Sequence, residues 1–499
     1  MSQTRTEQPG LVKRALAGHG SIALLACALI YIIAISGTIV VVAERWQRWE
    51  QPNVAEYDAI APSAVQNAMV ATLALEKGKA PTEHLYVRMP SEDLPRAVVT
   101  TDNAAWYVDQ AGKPVAREAH SWTEFLLALH INLTLPVLWG MLLVGVIGVA
   151  LAAITLTGVL ALPKIFKDAF RLRSRHDPQI ARADWHNRLG AWSLPFALVI
   201  ALTGAFIGLS FAGAALLAQT DANGDMEAVY GTIFGGEPEA DPAPAPLANV
   251  ARALATVQSR FPDVEPIYAI VEHPGTRSQL VMILAEHPRR LIYGESYRFN
   301  GAGDYLGKVG LSDGELGKQA AASTYNLHFG NYAGLPVELA YIAMGLAMCV
   351  ITSTGTTLWL LKRRRKGIDT SRLSAGWSVV IWGTPLAIVL AVWVRWLFGP
   401  EALLAAIFWL ALLAGIAVAA LRPTLIGDRW LKIALAGSLA VTAVAHVVLF
   451  RPAQPAVLAL DIILLAMAAA VGLLAMRVRS GAGAKASTAS LEPLREQAS

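Results

Sequence analysis

Long apolar runs separated by polar stretches dominate the chain. Eight runs reach the ~20 residues needed to cross the hydrocarbon core of a bilayer. They lie at roughly 20–42, 135–162, 190–218, 337–361, 377–398, 402–421, 431–450 and 456–476. The first four are spread out by long polar segments. The last four follow one another closely, and only Gly399-Pro400-Glu401 separates the fifth run from the sixth. No Ala-x-Ala site follows the first run before Glu44-Arg45-Trp46, so it is expected to stay attached as a helix over 19–43, after an N-terminal stretch of 1–18.

The long polar segments carry a pattern of their own. Asp241-Pro-Ala-Pro-Ala-Pro246 is a stiff spacer. It leads into Leu247–Phe261, where Val250, Leu254 and Val257 recur at helical spacing. Strand-like runs follow at Pro266–Glu272, Gln279–Ala285 and Leu291–Phe299, then the turn Asn300-Gly-Ala-Gly-Asp304. Earlier, a helix near Ser63–Glu76 precedes strands near Leu85–Met89, Arg96–Thr101 and Ala104–Val108, then the turn Asp109-Gln-Ala-Gly-Lys113. Each segment, 44–130 and 219–330, is therefore expected to form a small α+β unit between two spans. The order span, α+β unit, span then occurs twice, as a parallel internal repeat. The implied fold class is an all-α polytopic membrane protein of about eight transmembrane helices, with a duplicated four-helix core (131–163, 190–218 and 331–361 beside the first span), two outer units, an accessory four-helix region at 377–476 and a tail at 477–499.

Composition fits this class. Hydrophobic residues make up 55% of the 499 and charged ones only 16%, with a mean hydropathy of +0.46; soluble domains run nearer ~25% charged. The net charge is only +4, so its distribution matters more than its size. Seven Lys and Arg, including Lys164, Lys167, Arg171, Arg173, Arg175 and Arg182, fall in 164–188, and Lys362-Arg-Arg-Arg-Lys366 opens the loop 362–376. Arg422, Arg429 and Lys432 mark the next alternate loop, and Arg477 and Arg479 follow the last span. By the positive-inside rule all four regions are cytoplasmic, and so are both termini. The opposite side receives 44–130 (12 acidic, 8 basic) and 219–330 (14 acidic, 8 basic). Cys27 and Cys349 lie inside apolar runs and read as small hydrophobes, without a CxxC pair. No GxGxxG after a strand, P-loop or Ser/His/Asp motif occurs, and nothing points to nucleic acid.

Four of the ten histidines occupy matching positions in the two halves. His19 lies 18 residues before Gly37, and His186 lies 18 before Gly204. Leu129-His130 precedes Leu135-Pro136 and a span ending Thr157-Gly158; Leu327-His328 precedes Leu335-Pro336 and a span ending Thr354-Gly355. With the orientation above, His19 and His186 meet the inner face, His130 and His328 the outer. Two histidines from facing helices can clamp one haem from both sides, so two bis-histidine haem b sites, one per face, are expected. Zinc would be two ligands short. Arg188, with Arg14, is the expected partner of propionates at the inner site. A straight helix from His130 to Pro163 would reach about 50 Å at ~1.5 Å per residue, so Pro136 is expected to bend it. His84, His120, His273 and His287 read as solvated, with His120 within reach of an outer substrate. His176 reads as a lipid-headgroup neighbour, His446 as a polar residue facing the accessory helices, and Arg395 and Asp461 as snorkelling residues near span ends. Gly204–Gly208 is a weak GxxxG packing signal.

These residues resemble the PepSY-associated transmembrane family, the iron-regulated membrane proteins of bacteria. The likeness rests on Trp185-His-Asn-Arg-Leu-Gly190 with Leu202-Thr-Gly204, on Leu327-His-Phe-Gly330 with Thr354-Gly-Thr-Thr-Leu-Trp359, and on the basic run Lys362–Lys366. Leu129-His130 with Thr157-Gly158 supports it, and 247–307 is similar to a PepSY unit; about 15–370 are covered. The first half has His19-Gly-Ser where the second has His186-Asn-Arg, and its outer unit is less PepSY-like. The resemblance implies an inner-membrane protein of the iron-acquisition type, some members of which are haem-containing reductases of ferric siderophores. The family's haem histidines carry over onto His19, His130, His186 and His328. The expected function is transfer of electrons from a separate cytoplasmic donor, flavin- or NAD(P)H-linked, to a periplasmic acceptor such as a ferric siderophore. The alternatives are a siderophore or metal-complex transporter and a PepSY-type sensor or regulator.

Overall fold

A computed structural model describes residues 10–162, 164–169, 178–236, 238 and 240–488. Arg171, Arg173, Arg175 and His176 of the basic loop lie outside them. Among the described residues eight helices are long and apolar enough to cross a membrane, as the hydropathy pattern predicts. The chain begins with α1 (Leu11–Val40), α2 (Ala43–Glu50) and α3 (Pro62–Leu75), then strands β1 (His84–Arg88), β2 (Ala97–Thr101), β3 (Ala105–Val108) and β4 (Pro114–Arg117). Helices α4 (Ser121–Asn132), α5 (Val137–Ala161), α6 (Ile165–Asp168), α7 (Pro178–Trp192), α8 (Leu194–Asp221), α9 (Met226–Phe234) and α10 (Val250–Arg260) follow. Then come β5 (Glu265–Glu272), β6 (Leu280–Glu286), β7 (Glu295–Phe299) and β8 (Tyr305–Lys308), α11 (Leu316–Phe329) and α12 (Leu335–Arg365). The accessory region comprises α13 (Ser371–Ser378), a π-helical turn at Val379–Gly383, α14 (Thr384–Phe398), α15 (Leu404–Leu421), α16 (Asp428–Phe450) and α17 (Pro455–Thr488).

Three of the spans are entered through a break. Pro136, Pro195 and Pro336 stand at the starts of α5, α8 and α12, where a ring without an N–H is tolerated but the helix before it cannot run on. The chain from His130 to Pro163 is therefore not one straight helix. Leu133 and Thr134 turn with φ of 54° and 56°, and α4 becomes a separate short helix carrying His130. His328 rides on α11 in the same way, ended by left-handed Gly330. His186 rides on α7, ahead of the break at Ser193. Only His19 lies within an unbroken span, α1, which has no proline.

The two polar segments do not form separate units. Their strands join in one eight-stranded antiparallel sheet, ordered β4-β3-β2-β1-β5-β6-β7-β8. The junction is β1 against β5, from His84 opposite Glu272 to Arg88 opposite Tyr268. Each four-stranded half would otherwise leave an apolar edge with unpaired backbone groups, and pairing the two edges removes both. Helices α3 and α10 cover one face, burying Val65, Met69, Leu254 and Val257 against Val87, Val99, Val271 and Ile283. Gln66 on α3 accepts from the Val250 N–H at 2.8 Å and donates to the Ala248 carbonyl at 3.1 Å, so one half caps the helix of the other. The sheet lies at the end of the helix bundle that holds His130 and His328, and the basic loops lie at the other.

Candidate functional site

The matching histidines meet in two pairs. The ring centroids of His19 and His186 are 6.3 Å apart with planes at 81°. Those of His130 and His328 are 6.0 Å apart with planes at 29°. Each pair combines one histidine from each half of the chain.

The same local device holds all four. His19 Nδ1 is 3.0 Å from the Ile154 carbonyl, His130 Nδ1 2.9 Å from that of Ile33, and His186 Nδ1 3.0 Å from that of Ile351. His328 Nδ1 is 2.9 Å from Thr203 Oγ1, with the Ile200 carbonyl beside it. A carbonyl can only accept, so Nδ1 carries the proton and donates it. Thr203 Oγ1 already donates to the Val199 carbonyl at 2.6 Å, which leaves its lone pair to accept from His328. The tautomer leaves each Nε2 with a free lone pair, and among the described residues no hydrogen bond engages any of the four. An Nδ1–H bonded to a carbonyl with Nε2 free is the usual arrangement of a metal-ligating imidazole.

The glycines explain how a helix offers a carbonyl that its own ladder already uses. The four acceptor or neighbouring isoleucines each begin an Ile-x-x-Ser/Thr-Gly run: Ile33 to Gly37, Ile154 to Gly158, Ile200 to Gly204 and Ile351 to Gly355. The histidine lies in the space a side chain on that glycine would fill. A Cβ on Gly37 would stand 2.6 Å from His130 Cε1; on Gly204, 2.9 Å from His328; on Gly355, 2.9 Å from His186; on Gly158, 3.2 Å from His19. Within each half the arrangement is reciprocal: α1 offers His19 to Gly158 and receives His130 at Gly37. Burial lowers His130 and pushes His328 down to about 3, which keeps these two imidazoles neutral.

An apolar cleft opens between the first four spans at the His130–His328 pair. It encloses about 1200 Å³, counting its mouth, and runs from both rings past Gly37 and Gly204 to Leu151 and Met348. A metal binds imidazole nitrogen at about 2 Å, so two ligands in line across it place ring centroids roughly 6 Å apart. Both pairs fit that spacing, and the cleft beside the second is lined mainly by apolar side chains.

Arg188 lies on α7, one half-turn beyond His186. It is 7% exposed, its Nε has no hydrogen-bond partner, and among the described residues it forms no ion pair. A buried guanidinium without a counter-charge is costly, which marks a place for an anionic group. Arg14 is exposed.

Other expectations need correction. His120 is not solvated: it is 7% exposed at the start of α4, with Glu118 and Glu124 each 3.5 Å from its ring, and burial pushes it down to about 4. Asp461 does not snorkel; it is buried against His446 at 3.0 Å, because α2 and α16 close over it. His446 is therefore a paired residue. Gly208 touches the Gly145 backbone, so the GxxxG run does bring two spans together, while Gly204 serves His328 instead. Sequence reasoning also missed a run of rings leading to the sheet. Tyr293 lies 4.8 Å from Tyr325, Tyr325 stacks 4.2 Å from Phe329, and Phe329 is 5.6 Å from His328.

Comparison with known proteins agrees with this architecture. The family model described as the PepSY-associated TM region matches residues 16–362. An uncharacterised protein of Pseudomonas aeruginosa, PA4219, is 29% identical over 253 residues, which cover 48% of this chain and 64% of that protein. The match ends where the accessory helices begin, and the chain is a multi-pass membrane protein that belongs to the PepSY-associated transmembrane family.

Proposed function

We propose that the chain is a haem b protein of the bacterial inner membrane, passing electrons from a cytoplasmic donor at its basic-loop face to an acceptor at its sheet face. The reading rests above all on the four imidazoles, each held through Nδ1 with Nε2 free, in two pairs at 6.3 and 6.0 Å. Haem bound there would supply reversible one-electron chemistry at iron. His19 with His186, and His130 with His328, would hold one haem per pair, each iron taking an imidazole nitrogen from either half of the chain. The carbonyl bonds fix each ring's tautomer and raise its basicity as a ligand. Arg188 would pair with a propionate of the inner group, and the apolar lining of the cleft would keep water from the outer one.

Along α1, His19 and the glycine that seats His130 are 18 residues apart, roughly 27 Å at ~1.5 Å per residue. That nearly spans a ~30 Å hydrocarbon core, so the two pairs serve opposite faces. With no nucleotide-binding fold among the described residues, the donor in this reading is a separate flavin- or NAD(P)H-linked protein. The acceptor is a ferric siderophore: adding one electron to Fe(III) yields Fe(II), which hard oxygen chelators hold weakly. Tyr325 and Phe329 give such a ligand a ring surface beside His328.

A difference spectrum of the purified protein, dithionite-reduced minus oxidised, tests this reading. A bis-histidine haem b spectrum is expected, and His186→Ala and His328→Ala should each remove about half of it, one site of two. A colourless protein made with ample haem overturns the proposal.

A further inference from the structure

The accessory helices grip one half of the repeat at its sheet end. The largest apolar core of the molecule joins α14 to α17 with α2 and α4, through Trp49, Trp122, Phe125 and Leu129, and contains no residue of α11. Polar contacts follow the same line. Trp122 Nε1 on α4 donates to the Ile388 carbonyl at 3.0 Å, and Arg395 donates to the Ala119 carbonyl just before α4 at 3.2 Å. Trp409 Nε1 donates to Thr134 Oγ1 at 2.8 Å, in the left-handed link between α4 and α5. Left-handed backbone is unfavourable for a β-branched residue, so this link needs an outside partner to hold it.

A buried dyad closes the grip from the other side. His446 is fully buried, with Nδ1 3.0 Å from Asp461 Oδ2 and Nε2 2.9 Å from the Trp49 carbonyl. Trp49 Nε1 donates to Asp461 Oδ1 at 2.8 Å, and its ring stacks 4.2 Å from His446. Trp46 and Trp49 then flank Trp122 at 5.4 and 6.0 Å. Helix α11, the counterpart of α4 in the second half, receives none of this. Among the described residues its side-chain and carbonyl hydrogen bonds beyond its own turns go to Thr203, the Ile292 and Gly314 carbonyls and Tyr341, none of them on the accessory helices. It buries only Asn326, whereas α4 buries six residues.

We propose that the accessory helices are a clamp on α4, and that Trp122 and Trp409 are positioning residues for His130. One histidine of the outer pair is thereby fixed, while the helix carrying its partner, His328, keeps freedom to adjust. This accounts for four spans that take no part in either histidine pair. It rests on the reading of the pair as a haem site.

The test uses the full chain, purified with haem, and the double variant Trp122→Phe/Trp409→Phe, which deletes two N–H donors and keeps aromatic rings. The outer low-spin electron paramagnetic resonance signal is identified as the one lost in His328→Ala. In the double variant that signal should shift or split while the inner signal stays as in wild type. Hydrogen exchange of α4 amides should rise at least tenfold, with α11 unchanged. A wild-type outer signal in the variant, or exchange that rises equally in α4 and α11, overturns the clamp. Should the double variant not fold, Trp409→Phe alone is read by the same two measures. A wild-type protein without haem overturns the haem reading before any variant is made, and exchange of α4 against α11 then still decides whether the clamp exists.

Discussion

At the scale of single residues, the four glycines matter as much as the four histidines. Replacing each with alanine sets two effects against one another. Alanine gains about 1 kcal/mol of helix propensity over glycine, while overpacking a filled site costs about 1–3 kcal/mol. The prospective Cβ distances of 2.6 Å at Gly37, 2.9 Å at Gly204 and Gly355, and 3.2 Å at Gly158 rank the outcomes. Gly37→Ala should displace His130, lowering the thermal midpoint in detergent and removing most of one haem signal. Gly158→Ala should be nearly neutral in both measures. An unordered series would show that the glycines only ease helix packing. The histidine pairing could be read from the sequence, because matched offsets in a duplicated chain place equivalent residues on one face. The glycines' role could not, although Ile-x-x-Ser/Thr-Gly recurs four times. Which glycine serves which histidine depends on contacts between spans, and local spacing does not encode those.

At the scale of elements, α4 depends on what holds its ends. Glu50 caps it: the carboxylate accepts from the Thr123 N–H and hydroxyl, each at 2.7 Å, and from the Trp122 N–H at 3.1 Å. Burial pushes Glu50 up to about 7, against the pull of those donors and of Arg395. An unfolded glutamate releases its proton near pH ~4.3. Between that pH and about 7 the folded state holds the extra proton, so this contribution is full at low pH and is lost as the pH rises. Thermal melts from about pH 5 to about pH 8 should therefore show wild type losing stability relative to Glu50→Gln. A constant difference between the two would rule this out. The sheet gives a second element-scale test. Tyr86 faces Ile270 across the β1–β5 junction, so Tyr86→Cys with Ile270→Cys should form a disulfide under mild oxidation. Tyr86→Cys with Ala269→Cys should not, since neighbours on a strand point to opposite faces. Six of the eight strands were legible from alternation, with bounds that shift by only a few residues, whereas the four-residue β4 and β8, each just past a glycine turn, were too short to carry the pattern. The fusion of the two halves was not legible, because pairing between β1 and β5 leaves no mark on the periodicity of either strand.

At the scale of the whole molecule, function turns on which pair of histidines faces which compartment. The helix pattern leaves two options, since eight spans put both termini on one side in either case. Charge separates them. The loops opposite the sheet carry the arginine and lysine runs, including Lys362–Lys366, while the sheet-bearing segments carry an acidic excess, and by the positive-inside rule the proposed orientation has the sheet facing outward. The two native cysteines are well placed for a labelling test: Cys349 is buried, and Cys27 is only half exposed within a span. A cysteine at the exposed Glu83, just before β1, should react with a membrane-impermeant maleimide in cells whose outer membrane alone has been opened. A cysteine at the exposed Ile368, beyond the basic run that ends α12, should react only after the inner membrane is broken. The reverse pattern would place His19 and His186, with buried Arg188, on the outer face. Electrons would then have to enter through the sheet and the Tyr325–Phe329 ring run, and the proposed direction of transfer would be wrong.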